Sequence, residues 1–338
     1  MRAATYTATG PAAEVLRLEE LRRPEPAAGE VLVQVMASGI NPADVKRRAG
    51  WNGARMAHPK VIPHCDGAGV ITAVGEGVDA ARCGERVWLW NAQGGYGEAG
   101  RAFGTAADYV ALPAAQAVRL PDGTGFEEGA CLGVPALTAW LAVLGDGPVA
   151  GKTVLVQGGA GAVGQCCVQM ALAHGATVIA TVGNDAAAAT LAALGDMRIV
   201  NRHAQRLTDA VAQATDAGVD RIIEVDLAAN LATDIACLAP HGVIASYSCS
   251  SDPTPVLPYY DLANLGATIR FIQGFRLPSD QRRTAEATIT RLLEAGQLRP
   301  AVGATFPLED IAAAHARVEG GAPGQTVLTL SSPDRRRP

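Results

Sequence analysis

Residues 30–38 alternate apolar and polar side chains with a period near two, as a half-buried strand does. Residues 69–74, 86–90 and 107–111 repeat the pattern in shorter runs. Glycine-bearing turns at 75–77, 84 and 94–97 separate them. Short strands with frequent turns predict a β-rich barrel or folded sheet. The texture changes at Leu120-Pro121-Asp122-Gly123. Beyond it, strand-like runs at 153–157, 177–181, 199–200, 221–225, 243–247 and 268–272 interleave with helix-like runs at 127–144, 163–174, 186–194, 205–215 and 230–238. Repeated βα units predict an α/β fold, a doubly wound parallel sheet with right-handed crossovers. A helix at 284–295 follows, then strands at 304–306 and 326–330 around a short helix near 310–319. The expected division is a β-rich domain over 1–122, a nucleotide domain over 123–270, and a return segment over 271–338 that completes the first.

Residues 153–164 read Thr-Val-Leu-Val-Gln-Gly-Gly-Ala-Gly-Ala-Val-Gly. A buried strand runs into a glycine-rich turn, and a helix opens near Val163. That order suits a dinucleotide pyrophosphate: glycines let backbone approach the phosphates, and a helix N-terminus offers N–H groups to their charge. Gly158, Ala160, Gly161, Ala162, Val163 and Gly164 are the candidate contacts. The same turn without a ligand would be a plain βα connection, so the strand–turn–helix setting is what supports the reading. In this topology a ligand is expected at the carboxyl ends of the strands, facing the other domain.

With 338 residues, 49% hydrophobic and 18% charged, the chain suits two globular domains. A net charge of −5 offers no broad basic field for nucleic acid, and Arg335–Arg337 reads as a solvated run. No signal peptide is apparent, and no run of about 18 apolar residues suggests a membrane span. A cytoplasmic protein is expected. Seven scattered cysteines without CxxC spacing read as small buried hydrophobes.

An acid at the end of the second βα strand would hold an adenosine ribose and repel a 2′-phosphate. Thr181 and Val182 stand there, and Asp185 reads as the cap of a helix from Ala186. Arg202 lies in the next βα turn, where it can grip a phosphate with two parallel hydrogen bonds. These residues favour NADPH over NADH. His64, Cys65 and Asp66 are adjacent, but neighbours in extended chain point to opposite sides, and no second cysteine cluster completes a zinc site. Asp44, Lys46, His64, Tyr96 and Tyr259 are candidates for proton chemistry, yet their spacing forms no Ser-His-Asp or Cys-His arrangement. Hydride transfer to an electron-poor acceptor needs no strong protein acid, because water can protonate the product.

Five ordered segments resemble the zinc-independent medium-chain dehydrogenases and reductases of the quinone oxidoreductase and zeta-crystallin branch: residues 37–44, 63–70 with 74–78, 133–140, 158–164, and 222–225 with 242–244. The resemblance implies a GroES-like barrel built from both termini, a Rossmann domain, and NADPH-dependent reduction of quinones or other α,β-unsaturated carbonyls. It implies Asn41 and Thr138 near the nicotinamide, with Asp44 in the same substrate-side motif. Gly183, Asn184 and Arg202 would surround the adenosine phosphate, and Ser246, Tyr247 and Gln273 would line the cofactor's far side. Trp51, Tyr96 and Tyr259 are candidate walls for a flat substrate. In zinc-dependent relatives the catalytic ligands fall where this chain has Asn41, Cys65 and Val134, so no metal is expected. A homodimer or homotetramer is the family expectation. Three positions depart from the pattern: Lys46 replaces a tyrosine, Ala186–Ala189 replace a phosphate-binding lysine, and Gln325 replaces a lysine. An enoyl-thioester reductase, and a nucleotide-binding protein with little turnover, are the alternative readings.

Overall fold

The structure is a computed structural model, and it describes residues 1–95 and 100–330. The chain divides into two compact units, Met1–Val134 with Pro300–Pro338, and Pro135–Arg299.

The first unit begins with β1 (Arg2–Thr5), α1 (Ala12–Val15) and β2 (Arg17–Glu20), the two strands forming a small antiparallel sheet. There follow β3 (Glu30–Ile40), α2 (Pro42–Ala49), β4 (Asp66–Val74), β5 (Arg86–Leu89), β6 (Tyr109–Pro113), β7 (Ala117–Arg119) and α3 (Phe126–Gly129). α4 (Gly133–Leu144) crosses into the second unit. That unit continues β8 (Thr153–Val156), α5 (Ala162–Ala173), β9 (Thr177–Val182), α6 (Asp185–Ala192), β10 (Arg198–Asn201), α7 (Leu207–Ala214), β11 (Val219–Glu224), α8 (Leu227–Cys237), β12 (Leu238–Ser246), α9 (Tyr259–Leu265), β13 (Thr268–Phe271) and α10 (Ser279–Glu294). The chain then returns to the first unit with β14 (Val302–Pro307), α11 (Ile311–Glu319) and β15 (Gln325–Thr329).

In the first unit, the period-two alternation of β3 sends Val31, Val33 and Val35 into a core with Ile71, Val87 and Leu112. The main sheet runs β14-β15-β3-β4-β5-β7, with β6 also paired to β3. β15 pairs antiparallel with β3, so the C-terminal segment completes the sheet begun near the N-terminus.

In the second unit, six parallel strands take the order β10-β9-β8-β11-β12-β13. The order reverses between β8 and β11, and a ligand crevice belongs at the carboxyl ends on either side of that point. Their apolar residues are buried with those of α7 and α8, among them Leu155, Ile179, Ile222, Val211 and Leu231.

The unit boundaries differ from those expected at 122/123 and 270/271. Residues 123–134 belong to the first unit because Gly129 lies flat against Ala68 and Leu120, and the Val134 N–H donates to Asp66 Oδ2 at 2.7 Å. Residues 271–299 belong to the second. The Ile272 N–H donates to Ser246 O, and Gln169 exchanges two hydrogen bonds with the Arg299 backbone. The helix expected over 127–144 is two, α3 and α4, joined by a tight turn in which Cys131 N and Leu132 N bond back three residues. Among the described residues no helix is long and apolar enough to cross a membrane.

Candidate active site

In the second unit, Gly158 turns the chain at the end of β8 with φ +67°, a conformation glycine adopts without strain. Its N–H donates to Thr181 Oγ1 at 3.0 Å, and Gly159 N–H donates to Thr181 O at 2.9 Å, so the loop is sewn to the end of β9. The remaining glycines have separate duties. A Cβ at Gly164 would stand 2.3 Å from Gly158 O, so α5 packs on the turn only without one. A Cβ at Gly161 would meet only Gly158 O, at 3.4 Å. Gly161 is exposed and caps α5, and the first helical N–H to find an acceptor is Gln165, at 2.9 Å from Gly161 O. The N–H groups of Ala162, Val163 and Gly164 are therefore free of intrahelical partners, as an anion requires.

Beside this loop lies a cavity of about 360 Å³, whose lining includes Gln157, Thr181, Arg202, His203, Arg206 and Asn230. Two arginines and a histidine line it, and no carboxylate does. The Arg202 guanidinium lies 3.8 Å from where a Gly183 Cβ would be. Of the residues expected from the sequence, Arg202 lines this cavity; His203 and Arg206, which were not among them, line it too. The basic, acid-free run 202–206 was the available signal.

Asn184 is an N-cap: its Oδ1 accepts the Ala187 N–H at 2.9 Å. The helix begins at Asp185, not Ala186, and Asp185 instead accepts from Asn201 Nδ2 at 2.9 Å. The expectation that Asp185 is the cap is thereby corrected. Thr138 on α4 is buried and packs closely against the Gly274 backbone. Ser246 ends β12 and donates to Ser248 O at 3.2 Å. Burial pushes the Tyr247 hydroxyl well above its ordinary pKa. Gln273 is exposed.

Behind the loop is a polar network that the sequence did not reveal. Thr181 Oγ1 donates to Gln157 Oε1 at 2.9 Å, and Gln157 Nε2 donates to Asp234 Oδ1 at 3.0 Å. Asp234 faces Glu224, and both are buried. Burial, and the neighbouring Glu224 charge, push the Asp234 carboxyl up to about 9, so the pair shares a proton at neutral pH. Glu224 Oε1 accepts from Asn230 Nδ2 at 2.9 Å and from the Asp226 N–H.

In the first unit, Asn41 precedes α2. Its Nδ2 donates to Asp66 Oδ2 at 2.8 Å, and its Oδ1 accepts from Gln325 Nε2 at 3.0 Å. Asp44 accepts the Asn41 N–H at 2.8 Å and closes a capping box. Burial raises the Asp44 carboxyl to about 6. Asp44 thereby fixes the start of α2 through the Asn41 backbone. Asp66 is buried, and burial raises its carboxyl well above the ordinary carboxylate range. His64 has φ +79°, strained for a non-glycine residue, and is held by Ser38 Oγ at Nδ1 (2.8 Å) and His315 at Nε2 (2.9 Å). Burial keeps both imidazoles neutral, His315 falling to about 3. His64 is a buried framework residue.

Trp51 is 41% exposed, with Lys46 Nζ 4.6 Å from its ring centre. Tyr96 lies outside the described residues. Tyr259 is 74% exposed on α9, stacked edge-on with Tyr260, and lines no part of the strand-end cavity.

Among the described residues no group of three His, Cys, Asp or Glu side chains could hold a metal. Asn41 is engaged at both ends of its amide, and Val134 offers no side-chain donor.

Residues 27–122 match the alcohol dehydrogenase GroES-like domain, and residues 162–294 match the zinc-binding dehydrogenase family. The fold is thus a GroES-like domain with a Rossmann-like parallel sheet. The quinone oxidoreductase of Sus scrofa is 31% identical over 323 residues, 94% of each chain. A crystal structure described as an NAD-dependent alcohol dehydrogenase is 30% identical, with TM-score 0.88, over 98% of this chain and 100% of that one. A mycobacterial protein solved in complex with NADPH is 27% identical, with TM-score 0.85, over 98% of this chain and 100% of that one.

Proposed function

We propose that this chain, which belongs to the quinone oxidoreductase branch of the medium-chain dehydrogenases and reductases, uses NADPH to reduce a quinone or another α,β-unsaturated carbonyl, without zinc. The observation that carries the cofactor choice is the strand-end cavity, with Arg202, His203 and Arg206 in its wall and no carboxylate. A 2′-phosphate fits cationic donors, whereas a bare ribose is held by an acid. The name of the NAD-dependent neighbour points the other way. The local chemistry decides, because the cofactor's phosphate is read by the side chains it touches.

When bound, the reduced nicotinamide supplies the hydride. The N–H groups of Ala162, Val163 and Gly164 hold the pyrophosphate. Arg202, beside Gly183 and Asn184, holds the adenosine phosphate. Ser246, Tyr247 and Gln273 border the cofactor's far side, and Asn41 and Thr138 border the nicotinamide. Asp66 and Gln325 fix the Asn41 carboxamide, so Asn41 reaches its ligand preoriented. Without a Lewis acid, an unactivated alcohol is a poor partner. A quinone or enone delocalises the arriving charge itself, and water protonates the product.

We further propose a homodimer through β13. This strand ends the sheet, Phe271 on it is 71% exposed, and Tyr260 on the preceding helix α9 is 78% exposed. An exposed apolar strand edge invites pairing with another copy. Light scattering of the wild type and of Phe271→Lys tests it: a dimer that becomes a monomer is expected, and a monomeric wild type refutes it.

The enzymatic reading is tested by NADPH and NADH oxidation with 1,4-benzoquinone and an enone. Turnover with NADPH favoured is expected. No oxidation with any acceptor, alongside tight NADPH binding, would support a binding protein instead.

A further inference from the structure

Behind the glycine loop, hydrogen bonds run in one direction from the loop to a buried acid pair. The Gly158 N–H donates to Thr181 Oγ1 at 3.0 Å, Thr181 Oγ1 donates to Gln157 Oε1 at 2.9 Å, and Gln157 Nε2 donates to Asp234 Oδ1 at 3.0 Å. At the far end, Glu224 Oε1 accepts from Asn230 Nδ2 at 2.9 Å and from the Asp226 N–H. The two carboxyl oxygens left over, Asp234 Oδ2 and Glu224 Oε2, are buried and find no N–H or side-chain hydroxyl among the described residues. The two carboxyls bond to each other, and one proton between them satisfies both oxygens. That proton fixes the sense of the whole chain. With it held between the carboxyls, Asp234 Oδ1 must accept, so the Gln157 amide turns its nitrogen inward and its oxygen to Thr181. The Thr181 hydroxyl then donates inward and keeps a lone pair for the Gly158 N–H. Gly158 O in turn accepts the Gly161 N–H at 3.0 Å, which places the residue that caps α5.

Loss of the proton leaves two like charges facing each other in a buried site. The carboxyls must then part or draw in water, and Gln157 moves with Asp234, carrying Thr181 and the loop. The pair is the first group here to ionise as pH rises, since burial and the Glu224 charge push the Asp234 carboxyl up to about 9. Cys237, one turn along α8, is pushed up to about 11 by burial and the Asp234 charge. Burial holds the Tyr247 hydroxyl after β12 and the Cys167 thiol of α5 well above their ordinary values. Asp226 is engaged by Ser251 Oγ at 2.8 Å, and Arg202, His203 and Arg206 lie on the cavity side. We infer that the proton shared by Asp234 and Glu224 locks the cofactor loop: the form that keeps it is the one that takes NADPH, and Asp234, Gln157 and Thr181 are positioning residues for the pyrophosphate contacts of Ala162, Val163 and Gly164. By linkage, bound NADPH tightens the hold on the proton to the same degree. The inference rests on the cofactor reading above.

The test is fluorescence titration of NADPH from about pH 7.5 to about pH 10, with a thermal melt at each pH to show that the protein is folded. The wild-type Kd is expected to rise about tenfold or more over that range. Asp234→Asn offers Gln157 the same acceptor and Glu224 a hydrogen that does not titrate. Its ratio of Kd between the two limits should therefore lie near one, whatever its affinity at the lower limit. Gln157→Leu cuts the relay and leaves both carboxyls in place. Its Kd ratio should also lie near one while its Tm keeps the wild-type pH dependence, a split that a purely structural pair does not produce. If Gln157→Leu fails to fold, the wild type and Asp234→Asn decide. A wild-type Kd constant across the range overturns the inference while leaving NADPH binding intact, as does a rise in either folded variant equal to that of the wild type. A wild type that binds no NADPH at the lower limit overturns the cofactor reading beneath it.

Discussion

Replacing Gly161 with valine separates the cofactor loop from the fold. Gly161 has φ −70° and ψ 165°, extended backbone that valine adopts readily. Its added Cβ would meet only Gly158 O at 3.4 Å. Restricting the unfolded chain stabilises by about 0.4–1 kcal/mol, and replacing a glycine N-cap with valine costs about 0.5–1.5 kcal/mol, so the net change should stay within about 1 kcal/mol. Binding should fare differently, because the new side chain occupies the approach to Ala162, Val163 and Gly164. Losing two hydrogen bonds to a charged phosphate, at about 1.5–3 kcal/mol each, gives about 3–6 kcal/mol, and the lower figure is roughly 150-fold in Kd. Fluorescence titration of NADPH, with a parallel thermal melt, measures both. Gly164→Ala should do the reverse, because its Cβ has no room: about 1–3 kcal/mol of stability is lost through overpacking. A Gly161→Val protein with unchanged Tm and wild-type NADPH affinity would refute the loop assignment.

Arg202→Ala should weaken NADPH by about 1–3 kcal/mol and NADH hardly at all in paired titrations, and equal losses would reject a 2′-phosphate role. Asp234 retains in the native state a proton that the unfolded chain releases above its ordinary pKa of 3.8. Its contribution to stability is therefore complete below that pH and is lost as pH rises towards 9. Asp234→Asn keeps an acceptor for Gln157 and offers N–H to Glu224, so melts across this range should show a flatter decline; an unchanged slope would remove the shared proton from the account. Asp44→Ala should cost about 0.5–2 kcal/mol through its lost cap. A fall in kcat of about 100-fold in the folded variant would instead place Asp44 in the chemistry.

The parallel sheet was legible because its signals are local. An apolar strand, a glycine turn and a following helix lie within a dozen residues, and Thr153–Val156 and Ala162–Ala173 form where that pattern puts them. α2 and β2 were not, since Pro42–Ala49 is rich in charge and Arg17–Glu20 is mostly exposed, leaving no apolar period to read. The capping box of Asn41 and Asp44 was visible as a spacing, yet it reads equally as a catalytic motif until burial and partners are known. Gln157, Glu224 and Asp234 meet only because β8 pairs with β11, more than sixty residues away in sequence. The strand-end arginines divide in the same way: Arg202 follows from its place after β10, whereas Arg206 joins it only once the loop is folded.

The central claim is tested most directly by steady-state oxidation of NADPH and NADH with a neutral quinone, before and after treatment with a zinc chelator. Turnover is expected with kcat/KM for NADPH above that for NADH by about tenfold or more, unaffected by the chelator. Activity that vanishes on chelation and returns with zinc, or that follows NADH alone, would contradict it.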